Sequence, residues 1–167
     1  MTNYLWKGLS LSRVIILVFV LLLAAELPSV AAGKSDSSSN LSPFETVTTF
    51  FADWNMGQIK AASKLFDPDP CVTDVFPRFH WQGWNAFREW FSDLDTYNLS
   101  QGFTDYYFDV GAPLTNDIEG AVAQVIVPVV IDLKHNGQPE NYPGLVNIVL
   151  RRERTAWKIT SFTWTSN

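Results

Sequence analysis

The hydrophobic pattern of the chain changes once between Ser42 and the C-terminus, from a helical period to a strand period. In the first half, apolar side chains recur every three or four residues, as on one face of an amphipathic helix. In the second half, apolar and polar side chains alternate over long stretches, as they do in strands. This order predicts an α+β fold in which helices cover one side of a sheet.

Three short helices are predicted in the first half. The first begins at Ser42, which can cap it together with Glu45 as a capping box, and ends at Gly57. A second helix follows at 59–66, and a third runs from about 84 to 94. The Asp-Pro-Asp-Pro sequence at 67–70 is predicted to end the second helix, and two short strands are predicted between it and the third, at 71–76 and 79–82.

Four longer strands are predicted in the second half, at 104–112, 121–133, 144–152 and 157–165. Asn136-Gly137 is the strongest hairpin sequence in the chain. Pro128 lies inside the longest apolar run and cannot donate to a neighbouring strand, which predicts a bulge or an edge position. Because short turns connect these strands, the sheet is predicted to be mostly antiparallel.

The N-terminal segment has the three parts of a secretory signal peptide. Lys7 and Arg13 precede an apolar run at 14–25, and small residues up to Ala32 follow it. We predict a signal peptide at 1–32, a serine-rich flexible linker at 33–41 and one domain at 42–167, in a secreted or periplasmic protein with no stable membrane insertion after cleavage. The alternative is a membrane anchor formed by the uncleaved segment, although a spanning helix needs about 20 apolar residues.

Charge and motif content narrow the possible partners. The formal net charge is −5, and it becomes −6 when the predicted signal peptide is removed. An acidic chain without a basic face is not expected to bind nucleic acid. Cys71 is the sole cysteine, so no internal disulfide can form. Metal-binding and phosphate-binding motifs are lacking as well, so we predict no metal and no cofactor.

The element order, an acidic strand around Asp74, the sequence Trp81-x-Gly83 and a last strand from Trp157 to Trp164 together resemble the NTF2-like superfamily in its SnoaL-like branch. The resemblance covers about 42–165 and rests on pattern and element order. It implies a cone: a curved, mostly antiparallel sheet wrapped around three N-terminal helices, with an apolar pocket for a small molecule. It also implies a homodimer formed through the open face of the sheet, since the long strands carry apolar residues on both faces.

The resemblance leaves two functions open, because the superfamily contains both enzymes and non-enzymatic proteins. One is an exported SnoaL-like protein whose pocket binds a small apolar molecule, as in cofactor-independent isomerases, cyclases and dehydratases. The alternative is a non-enzymatic ligand-binding protein or a dimeric interaction module. The sequence does not decide whether the protein is an enzyme.

The candidate catalytic residues are Asp74 and His80, which lie on the two short predicted strands. A carboxylate in an apolar pocket is suited to proton abstraction, and a histidine on the neighbouring strand could pair with it if both side chains share a face. Aromatic and amide side chains are the candidate ligand-binding residues. They are Trp54, Trp90, Tyr106, Tyr107, Gln124, Asn147 and Trp164.

Overall fold

The computed structural model describes residues 41–166. The predicted signal peptide and the predicted linker up to residue 40 lie outside the described residues. The elements are, in chain order, α1 (Pro43–Asn55), α2 (Ile59–Ser63), β1 (Phe66–Thr73), β2 (His80–Gln82), α3 (Ala86–Gln101), β3 (Phe103–Val110), β4 (Thr115–Glu119), β5 (Val122–His135), β6 (Gln138–Glu153) and β7 (Ala156–Ser166).

The first helix begins with the predicted capping box. The Glu45 amide donates to Ser42 Oγ at 3.2 Å, and the Ser42 amide donates to Glu45 Oε2 at 2.7 Å. Two amides that have no partner within the helix are satisfied in this way. The third helix is longer than predicted, since it continues past Leu94 to Gln101 and ends at Gly102, which has a φ of +75°. Glycine adopts this left-handed conformation without the steric cost of a Cβ atom.

The strands form a single curved open sheet in the order β2-β1-β7-β6-β5-β3, with β4 paired to β5 beyond the end of β3. Strands β1 and β7 are parallel, and all other pairs are antiparallel. The predicted α+β class and mostly antiparallel sheet are therefore confirmed. Within the described residues, no helix is long and apolar enough to cross a membrane.

The Asn-Gly hairpin forms as predicted between β5 and β6. His135 pairs with Gln138, and the two residues between them, Asn136 and Gly137, have φ values of +49° and +81°. Positive φ at both central positions is the type I′ geometry that matches the twist of the flanking strands.

Pro128 lies in an internal strand but at a gap in its pairing. On one side of β5, β3 pairs with residues from Val129 onward, whereas β4 pairs with residues up to Ile126. The Pro128 carbonyl accepts a hydrogen bond from the Gly111 amide on that side. The missing N–H of proline therefore falls at a local edge, where no strand requires it.

The Asp-Pro-Asp-Pro sequence lies inside a strand, whereas it was predicted to end the second helix. The second helix ends at Ser63, and residues 67–70 belong to β1. The pairing of β1 with β7 shifts register between Phe66 and Cys71, so this segment bulges out of the ladder. Proline is tolerated there because an irregular segment needs no regular ladder hydrogen bonds.

The core lies between the helices and the concave face of the sheet. Alternate residues of the long strands point inward, such as Val125, Val127 and Val129 of β5, each at most 1% exposed. Phe50 and Phe51 of α1 pack against Phe162 of β7. This packing holds the first helix over the sheet, and α3 closes the space beside it.

Candidate functional site

A cavity of about 270 Å³ lies between α3, the end of α1 and the inner face of the sheet. Its lining is mostly aromatic. The lining residues are Phe51, Trp54, Asp74, Val75, Phe76, Trp90, Phe91, Leu94, Asp95, Tyr97, Asn98, Phe103, Tyr106, Phe108, Ile131, Leu133, Tyr142, Phe162, Trp164 and Ser166. Exposed members such as Val75, Asp95 and Ser166 mark where the cavity opens to solvent.

The inner wall is a continuous set of ring contacts. The rings of Trp54 and Trp90 meet edge to face, with centroids 5.4 Å apart and an angle of 89° between their planes. Trp54 also packs on Phe108 at 4.5 Å, and Trp90 packs on Phe162 at 5.0 Å. Edge-to-face and offset contacts are the preferred arrangements of aromatic pairs, so these walls hold a defined shape.

Asp74 places a carboxylate in the cavity wall. Val72, two residues earlier in β1, is fully buried, and strand alternation points Asp74 to the same inner face. The Trp90 indole N–H donates to Asp74 Oδ2 at 2.9 Å, and the Val75 amide donates to Oδ1 at 2.7 Å. Burial raises the pKa of Asp74, although both hydrogen bonds act to lower it.

A second polar group in the cavity lining is the hydroxyl of Tyr106 on β3. The Tyr106 hydroxyl donates to the Phe103 carbonyl at 2.7 Å. Burial, together with the negative charge of Asp95, raises the pKa of Tyr106 to about 12. The phenol therefore stays protonated at neutral pH and presents its oxygen lone pairs as an acceptor.

His80 lies outside the cavity and does not pair with Asp74, so the expected pair is not formed. In the β1–β2 ladder His80 is opposite Thr73, whereas the Asp74 amide donates to the Phe79 carbonyl. Opposite residues share a face of the sheet and successive residues alternate, so His80 and Asp74 point to opposite faces. The exposed His80 imidazole instead lies with Nδ1 3.8 Å from Cys71 Sγ.

The candidate ligand-binding residues divide into two groups. Trp54, Trp90, Tyr106 and Trp164 line the cavity. The other three candidates lie on the outer face of the sheet, away from the cavity. They are Tyr107, Gln124 and Asn147. Tyr107 is 55% exposed, and the Gln124 amide donates to Asn147 Oδ1 at 3.0 Å across β5 and β6. Each amide therefore has a hydrogen-bond partner in the other, without a ligand.

Sequence reasoning missed the polar residues on the second half of α3. Asp95, Tyr97 and Asn98 line the cavity, but the helix was predicted to end near Leu94. Tyr97 continues the three-residue step from Leu94, and Gly102 is a typical C-terminal residue. These two features together were sufficient to extend the predicted helix.

Within the described residues, no group of three or more His, Cys, Asp or Glu side chains is arranged to hold a metal ion. The charged side chains in the cavity lining are the carboxylates of Asp74 and Asp95. The site can therefore enclose an apolar group and hydrogen-bond a polar group. Its own two carboxylates make it negatively charged.

No protein-family model matches the sequence, and neither does any curated protein. Solved structures do resemble it. An NTF2-like superfamily protein from Salmonella enterica superposes with a TM-score of 0.60 at 19% identity, over 73% of this chain and 86% of that one. A ketosteroid isomerase-like protein from Erwinia carotovora gives 0.57 at 12% identity, over 72% and 90%.

A third similar structure is the CaMKII hub of S. rosetta, with a TM-score of 0.56 at 16% identity over 74% of this chain and 93% of that one. At such identities the likeness concerns the fold alone. The chain has the NTF2-like fold, as the resemblance in its sequence implied.

Proposed function

We propose that the protein binds one small, largely apolar molecule in the cavity between α3 and the sheet. The observation that carries this proposal is an aromatic-walled space of about 270 Å³ beside a well-packed core. Protein interiors normally pack as densely as organic crystals and leave few voids larger than a water molecule. A space of this size with a few polar groups is typical of a small-molecule site.

The second candidate function is proton transfer by Asp74. A carboxyl whose pKa is raised by burial, in a cavity, is a recurrent feature of general bases. We place binding first because His80 lies on the other face and the Tyr106 hydroxyl is engaged with a backbone carbonyl. Asp74 would have to act without either of them, through lone pairs that Trp90 and Val75 leave free.

The test of binding is native mass spectrometry of the protein purified from its own host. We expect a population that is heavier than the chain by the mass of one small molecule and that loses this mass on denaturation. Ile131→Trp should abolish the adduct, because Ile131 lines the cavity and the larger ring would occupy it. Val122→Trp is the matched control, since Val122 is an exposed residue of the same strand that does not line the cavity.

Titration with tert-butylbenzene, an uncharged apolar probe, gives an independent readout. Trp54, Trp90 and Trp164 line the cavity, so occupancy should change the indole signals in NMR spectra. Absence of both the native adduct and any saturable change with the probe would overturn the proposal.

We also propose that the protein is exported and that its N-terminal segment is removed. The support is the sequence alone: Lys7 and Arg13, the apolar run at 14–25 and the small residues that follow. We expect N-terminal sequencing of the exported protein to begin at Ala32 or Gly33. A sequence that begins at Met1 would contradict cleavage and favour the anchored alternative.

We propose further that two copies associate through the outer face of the sheet. Ile126, Val130, Leu145 and Val149 alternate with the inward-pointing residues of β5 and β6, so their side chains lie on that face. The three helices of residues 41–166 pack on the inner face, and an apolar sheet face left open in this way is typical of an interface. The fold shared with the CaMKII hub is consistent with this assignment.

A further inference from the structure

The cavity combines aromatic rings with negative charge. Of the described residues that line it, twelve are Phe, Tyr or Trp, two are Asp, and none is Lys, Arg or His. Asp74 lies in the wall and Asp95 lies at the exposed edge. The charged residues of the described lining are therefore all negative. A pocket that binds neutral apolar molecules does not require such a bias.

We propose that the cavity is selective for an organic cation, an amine or quaternary ammonium group carried on a small apolar body. This inference rests on the proposed binding function and names the chemical class of its ligand. Cations are attracted to the faces of aromatic rings, most strongly to Trp, and this attraction grows when water is excluded. Three of the lining residues are Trp and three are Tyr.

Among residues 41–166, no positively charged side chain pairs with the carboxylate in the wall. Asp74 accepts two hydrogen bonds from neutral donors, the Trp90 indole and the Val75 amide, and burial raises its pKa because the ionised form has lost water. A carboxylate removed from water is costly unless it is paired with a positive charge. A bound cation would supply that charge, whereas an apolar neutral ligand would bury the carboxylate further without compensation.

Two cationic side chains close in sequence to lining residues are paired with carboxylates that do not line the cavity. Arg78 bonds Glu89 at 2.6 Å, and Lys134 bonds Asp105 at 2.8 Å. At the rim, the Tyr142 hydroxyl donates to Glu140, which also contacts His135 Nδ1 at 3.0 Å. An anionic ligand would therefore meet two lining carboxylates and no cation among the described lining residues, so its binding is disfavoured.

The test compares phenyltrimethylammonium with tert-butylbenzene, which has the same shape and no charge. We expect isothermal titration calorimetry at pH 7 to show about tenfold tighter binding of the cation, in line with the known range of cation–π and partly screened ionic interactions. Asp95→Asn should weaken the binding of phenyltrimethylammonium several-fold and leave that of tert-butylbenzene unchanged. Asp95 is exposed, so this substitution leaves the fold intact.

Asp109→Asn is the matched control. It removes the same charge from the exposed outer side of β3, and Asp109 does not line the cavity, so both affinities should stay as in the wild type. Equal or tighter binding of tert-butylbenzene by the wild type would overturn the inference and leave the proposed binding function in place. If neither compound binds, both the inference and the proposed function fail.

Discussion

At the scale of single residues, Asp74 contributes both to the fold and to the candidate site. Its backbone extends the β1–β2 ladder by one hydrogen bond, and its side chain holds the Trp90 indole in the cavity wall. Trp90 is 1% exposed, so its N–H needs an acceptor inside the protein. The carboxylate satisfies that donor at the cost of its own partial loss of hydration.

We predict that acid stabilises the wild type relative to Asp74→Asn. Burial raises the folded-state pKa of Asp74 above its ordinary value of 3.8. In the pH interval between 3.8 and the raised value, the folded state binds a proton that the unfolded state lacks. The free energy of unfolding of the wild type, minus that of the variant, should therefore rise as pH falls through this interval.

Urea denaturation at a series of pH values measures this difference, and Asp109→Asn serves as a reference for a carboxyl outside the cavity. A difference that falls with acidification would mean that the ionised form of Asp74 is favoured by the fold. That result would contradict the assignment of burial as the dominant cause of the pKa shift.

The sequence predicted the place of Asp74 but not that of His80, for a physical reason. Asp74 follows Val72 at a two-residue step, so alternation alone points it to the core side. Whether His80 shares that face depends on the register across the turn at 74–79, and a shift by one residue reverses every side chain of the second strand. The turn sequence does not determine that register, so the pairing of the two residues was not predictable.

At the scale of elements, the contact of the α1 end with β3 is a feature that hydrophobic periodicity cannot predict. Asn55 is the last residue of α1, and its side chain binds the backbone of Phe108 twice. Its amide nitrogen donates to the Phe108 carbonyl at 2.9 Å, and its amide oxygen accepts from the Phe108 amide at 2.9 Å. This contact fixes the end of the helix against the strand beside the cavity, since Phe108 and Trp54 both line it.

We predict that Asn55→Ala destabilises the protein by about 1–3 kcal/mol, because it leaves two partly buried backbone groups without their partner. Chemical denaturation measures the change in the free energy of unfolding. Asn116→Ala is the matched control, since Asn116 is exposed on β4, and it should change this free energy by no more than about 0.5 kcal/mol. Equal effects of the two substitutions would show that the Asn55 contact contributes nothing specific.

At the scale of the whole molecule, the sheet presents two different apolar faces. The inner face carries the core and the cavity, whereas the outer face combines half-buried aliphatic side chains with the Gln124–Asn147 amide pair. Alternation along β5 and β6 makes both faces predictable from the sequence. The volume of the cavity could not be predicted from the sequence, because it depends on how the rings of α3 pack against α1 and the sheet.

We predict that the mature protein is a homodimer at micromolar concentration and that Ile126→Glu converts it to a monomer. The substitution places a charge on the outer face of β5, where Ile126 is opposite Asn147 of β6, and burying an unpaired charge in an interface is costly. Gln138→Glu adds the same charge at the exposed hairpin and should leave the dimer unchanged. Size-exclusion chromatography with light scattering measures the mass, and far-ultraviolet circular dichroism checks that each variant is folded. If the wild type has the mass of one chain at this concentration, the predicted dimer is contradicted, and so is the proposed role of the outer face as its interface.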